Sequence, residues 1–116
     1  MPPSFAAQDV RIHDACADDY DELQRLAREG HKPSAAIWKS LETAFARARR
    51  DAQFADPIPA RWLPRHFRDR YGAANLYCVD LAGFHRGFYT IEHRVVYFLD
   101  VVDHATYDKW FPNKGK

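Results

Sequence analysis

Arg86 and the run Asp103-His104-Ala105-Thr106-Tyr107 carry the side chains of this sequence best suited to chemistry. A guanidinium is planar, permanently charged and able to grip two oxygens of one phosphate or carboxylate. An imidazole titrates near pH ~6.5 and so exchanges protons at neutral pH. Three strand-like runs, 75–81, 86–92 and 94–102, would set Arg86 close to the His104 and Tyr107 cluster. Each residue also has a purely structural role to fill. Arg86 could pair with Asp80 or Asp100 on a neighbouring strand. Asp103-His104 could close a strand end by hydrogen bonding, with Tyr107, Trp110 and Phe111 packing a C-terminal turn onto the sheet.

Other chemistries find less support. The six histidines show neither an HExxH nor a His-x₃₋₅-His spacing, and Cys16 and Cys78 do not join them at ligand spacing, so no metal site and no cofactor is expected. Glycine-rich phosphate loops are missing. Two cysteines so far apart predict no disulfide framework but thiols in a reducing cytosol, hence a cytoplasmic protein. No apolar run approaches the ~20 residues of a membrane span, and 1–8 lack the basic-then-apolar pattern of a leader, so no membrane partner is expected.

The elements that must hold these residues can be read from periodicity. Val10-Arg11-Ile12-His13 alternates as a short first strand. A helix follows, capped by Asp18 or Asp19, with Tyr20, Leu23, Leu26 and Ala27 on one face and Gly30 at its end. Ser34 suits the N-cap of a longer helix over 35–54, where Ile37, Leu41, Ala44, Phe45, Ala48 and Ala52 recur at helical spacing. Asp56-Pro57-Ile58-Pro59 breaks the chain, and Pro64 and Gly72 bracket a short helix over 63–71. From Asn75 the period becomes two, with Glu92-His93 as a hairpin connection. A length of 116 residues leaves room for one core and one domain, 1–116.

Charge is nearly balanced at +1 but uneven. Residues 1–30 hold seven acids against three arginines, whereas 47–70 hold seven arginines against three aspartates. Such a patch attracts phosphates or an acidic protein segment, or else is a solvated helix face.

From Val10 to Phe111 the chain resembles the RelE/ParE superfamily of toxins from type II toxin–antitoxin modules. The resemblance rests on Asp56-Pro57-Ile58-Pro59, Tyr71-Gly72, Asn75-Leu76, Arg86-Gly87-Phe88-Tyr89-Thr90-Ile91 and Asp103-His104-Ala105-Thr106-Tyr107-Asp108-Lys109-Trp110-Phe111, in that order. It leaves 1–9 as an N-terminal extension and 112–116 as a tail. The fold it implies is α+β: a short N-terminal strand and two N-terminal helices packed on a twisted antiparallel sheet of about four strands. The function it implies is a toxin that inhibits translation as a metal-independent messenger RNA endoribonuclease at the ribosome, silenced by a cognate antitoxin. Catalysis would fall to Arg86, His104 and Tyr107; the positive charge for RNA contact, which such relatives take from strand lysines, would come here from Arg61, Arg65, Arg68 and Arg70 of the neighbouring helix instead. Other members of the superfamily poison DNA gyrase or lack nuclease activity, so a non-enzymatic binding module is the alternative. One departure favours that alternative. Ribosome-dependent relatives often carry lysines on the strand before the arginine, where this chain has Tyr77-Cys78-Val79-Asp80-Leu81. His85, where many relatives have tryptophan, suits packing.

Overall fold

The period-two run after Asn75 folds as a meander of β3 (Tyr77–Leu81), β4 (His85–Glu92) and β5 (Val95–Asp103). A computed structural model describes residues 5–112 of the chain. Before the meander lie β1 (Asp9–Ile12), α1 (Ala17–Arg28), α2 (Lys32–Arg50), a two-residue β2 (Asp56–Pro57) and α3 (Arg65–Tyr71); α4 (His104–Trp110) follows it. These elements form a single α+β domain, and its five-stranded sheet has the order β1-β5-β4-β3-β2.

Two features of the sheet differ from the antiparallel arrangement of about four strands. The Asp56-Pro57 pair, predicted as a break, adds a short edge strand antiparallel to β3, with Asp56 opposite Cys78. Edge strands tolerate proline because one side of their backbone needs no ladder bond. At the other edge β1 runs parallel to β5, with Asp9 opposite Val95 and Ile12 opposite Phe98. The extension also takes part in the fold: the Phe5 carbonyl accepts from the Ala52 N–H at 2.7 Å, and the Arg94 guanidinium lies 4.8 Å from the Phe5 ring. Residues 1–4 and 113–116, which hold most of the tail, lie outside the described residues.

Helix ends follow local hydrogen bonding. Neither Asp18 nor Asp19 caps α1; the N-cap position is Cys16, without a side-chain bond, and both aspartates sit in the first turn where the helix dipole favours anions. At α2 the His31 Nδ1, and not Ser34, accepts the capping N–H, that of Ser34 at 3.3 Å. This helix stops at Arg50, short of Phe54, because the Asp51 carboxylate takes the Gln53 N–H at 3.0 Å in a local turn that competes with helix. Pro64 is the N-cap of α3, and Gly72 terminates that helix at φ +64°, a left-handed position suited to glycine. Asn75, expected in the strand, extends it by side chain: its Oδ1 accepts from the Ile91 N–H and its Nδ2 donates to the Ile91 carbonyl, both at 2.8 Å.

Adjacent residues of β4 point to opposite faces and so name the two halves of the core. Tyr89 faces α2, stacking near Tyr77 and Phe98, and its hydroxyl donates to the Ala52 carbonyl at 2.8 Å. Phe98 in turn meets Phe45 of α2 edge-on at 4.8 Å. Phe88 faces the other way, into a cluster with Phe67 of α3, Tyr107 and Trp110 of α4, and Phe111. The sheet is therefore covered on both sides, by the α1–α2 hairpin and by α3 with α4.

The hairpin joining β4 to β5 turns at His93-Arg94, one residue later than expected, and both residues have positive φ (52° and 67°). Two-residue turns of this hand favour Asn-Gly, since left-handed backbone costs other residues ~1–2 kcal/mol each. Replacing the pair by Asn-Gly forfeits the contact of Arg94 with Phe5 but relieves both positions. The double variant is expected to gain about 1 kcal/mol, read as a rise of several degrees in the midpoint of thermal unfolding.

Candidate functional site

Asp80 and Arg86 stand opposite each other on β3 and β4, and the guanidinium is ion-paired with the Asp80 carboxylate. Arg86 shares a sheet face with Phe88, two residues on, and that face is the one α4 covers. The helix starts where β5 ends because the Asp103 carboxylate accepts the Thr106 N–H at 2.8 Å. That backbone hydrogen bond, first, and a second one from the Thr106 side chain hold the Asp103 carboxyl below its usual range.

With α4 started at His104, position 107 falls one turn later on the same helix face. Tyr107 lies back over the sheet, stacked at 6.3 Å on Phe88, and the Arg86 Cζ sits 5.1 Å from the centre of its ring. His104 stacks nearly parallel to the same ring at 6.2 Å, and its Nε2 is 3.4 Å from the Asp108 carboxylate. The fold thus gathers Arg86, Tyr107 and His104 around one tyrosine ring at the end of the sheet. They differ in access. The His104 side chain is 55% exposed and that of Arg86 26%, whereas Tyr107 is buried and supports the guanidinium from below.

Chemically, the arrangement offers an exposed imidazole for proton exchange and a cation seated on an aromatic face. The Asp80 carboxylate occupies the cation from the solvent side, its own side chain being 79% exposed. An anionic ligand would have to displace it. His85, beside Arg86, points to the opposite face, where its Nδ1 meets the Gly83 carbonyl at 2.9 Å.

The four arginines proposed for RNA contact are all exposed, on or just before α3, but two are tied to backbone. Arg68 donates to the Leu63 carbonyl and Arg70 to the Ala15 carbonyl, each at 3.1 Å. Arg61 lies over Trp62 at 4.9 Å, and Arg65 makes only a 3.8 Å pair with Asp69. Since α3 packs through Phe67 against Phe88 and Trp110, Arg61 and Arg65 belong to the same layer as the Arg86 cluster.

Sequence spacing gave no sign of a second polar cluster. His66 of α3 bonds the Asp100 carboxylate of β5 at 2.6 Å and stacks on Trp110 at 4.6 Å. Tyr71 also hydrogen-bonds Asp100, and its hydroxyl takes the Cys16 thiol at 3.2 Å and the Arg70 Nε–H at 3.1 Å. Burial, above all, pushes the Tyr71 hydroxyl and the Cys16 thiol upward, so both stay protonated at neutral pH. The one signal available was Asp100 itself, a charge inside the apolar run Leu99-Asp100-Val101.

Among the described residues no three His, Cys, Asp or Glu side chains are grouped to hold a metal ion, and no helix is long and apolar enough to cross a membrane. No family model, no curated protein and no solved structure matches this chain.

Proposed function

We propose that this chain is a toxin of the RelE/ParE kind, a metal-independent endoribonuclease that cuts ribosome-bound messenger RNA in the cytoplasm and is restrained by a cognate antitoxin. The observation that carries the reading is the meeting of Arg86 and His104 on the ring of Tyr107. Metal-free RNA cleavage needs proton transfer at the 2′-hydroxyl and leaving oxygen, and a cation for the charge that builds on the phosphorane. His104 serves the first need and Arg86 the second, with Tyr107 fixing the guanidinium. Arg61 and Arg65 supply backbone contacts in the same layer, a salt-dependent contribution. The test is induced expression: growth and translation should stop, ribosome-bound messenger should be cut, and co-expressed antitoxin should reverse both. Unimpaired growth with the protein folded and abundant would remove this reading.

The ion pair of Arg86 with Asp80 favours a second reading, a non-enzymatic binding module, such as one acting on gyrase. Asp80→Ala separates the two. Exposed pairs are worth up to ~1 kcal/mol, so freeing the guanidinium should raise messenger cleavage by up to about fivefold if the site is a nuclease. On the second reading messenger stays intact in both forms, while gyrase supercoiling is inhibited.

A further inference from the structure

On the opposite face of the sheet, between α1, the start of α2 and the far end of β5, lies a cavity of about 360 Å³. Here β1 pairs with β5 only as far as Phe98, leaving the edge beyond without a strand. Tyr20 of α1 reaches that edge, its hydroxyl donating to the Leu99 carbonyl at 2.6 Å. The volume lies within the range of small-molecule sites, about 300–1,000 Å³. Leu23, Ile37 and Val101 give it apolar walls.

The polar lining consists mainly of Asp19, Asp100, His31 and His85, and hydrogen bonding fixes what each offers. His31 Nδ1 accepts the Ser34 N–H, so in the neutral ring its Nε2 carries the proton and donates. His85 Nδ1 faces the Gly83 carbonyl and must donate to it, which leaves Nε2 as an acceptor. The Asp19 carboxylate adds an open acceptor, and Asp100, whose carboxylate is already bonded to His66 and Tyr71, adds a second anionic group, so the cavity wall favours a cation. It is the reverse of a phosphate site.

We infer that this cavity binds a small organic cation, a protonated amine or guanidinium carried on an apolar arm, with the Asp19 carboxylate receiving the charged nitrogen, Asp100, already held by His66 and Tyr71, adding its charge from behind, and Leu23, Ile37 and Val101 taking the arm. The Arg86 cluster lies across the sheet, and Asp100, bonded to His66 of α3, is the cavity's link to that layer. Titration of the whole protein with phenethylamine, tryptamine and agmatine, followed by amide resonance shifts, tests it, with phenylacetate as the anionic counterpart. At least one amine should shift residues lining the cavity, and phenylacetate should not. Asp19→Asn, an exposed change, should weaken that amine by roughly tenfold, the worth of one hydrogen bond to a charged group. Leu23→Trp, which fills the space, should abolish binding. The inference is overturned if no amine in the panel perturbs these residues, if phenylacetate binds equally well, or if binding survives Asp19→Asn undiminished.

Discussion

Arg86→Ala is expected to reduce messenger cleavage by about 10²–10³-fold while leaving the protein folded. The first figure is the effect of removing one preorganised group that stabilises transition-state charge. The second expectation follows from exposure: the partner Asp80 is open to solvent, and such pairs contribute no more than ~1 kcal/mol to stability. A growth assay after induction, with urea unfolding of the same variants, reads both at once. Cleavage close to that of the wild type would show the guanidinium to be a structural cross-strand partner and end the nuclease proposal. Arg86→Lys adds a finer comparison, since an ammonium keeps the charge but loses the planar grip on two oxygens.

The largest effect on stability is expected at Phe88. Its side chain is fully buried and touches Phe67, Tyr107, Trp110 and Phe111, so it is where α3 and α4 jointly meet the sheet. Truncating a buried phenylalanine costs ~3–5 kcal/mol in transfer and cavity energy, a large share of the ~5–15 kcal/mol that holds a domain together. Phe88→Ala should therefore move the urea midpoint sharply downward, whereas Phe88→Leu, which leaves a smaller void, should move it less. Activity should fall too, because Tyr107 loses its seat and Arg86 its support. A midpoint unchanged by Phe88→Ala would show that the second face of the sheet is not part of the core.

What could be read from the sequence was local. Period two in 75–102 gave the meander, and helical spacing of Ile37, Leu41, Ala44 and Ala48 gave the long helix with its buried face. The neighbourhood of Arg86, His104 and Tyr107 was legible for the same reason: a strand end, one capping aspartate and one helical turn separate the last two from β5. Pairings that depend on the tertiary fold were not. The parallel match of β1 with β5 leaves no local trace, and neither does the bond of His66 to Asp100. The hairpin was misplaced by one residue because His93 and Arg94 adopt backbone that composition assigns to Asn and Gly. Helix caps went astray where an imidazole, at His31, did the work of a hydroxyl.

The sheet joins the first strand to the last, which imposes an order on events during synthesis. Until β5 has left the ribosome exit tunnel, β1 has no strand beside it and Tyr20 lacks its Leu99 acceptor. Closing so long a loop is slow and comes late. Arg86 emerges earlier than its support, since Tyr107 follows it in the chain. On the proposed function, the guanidinium would acquire its aromatic seat only after the segment that follows β5 has folded back onto the sheet.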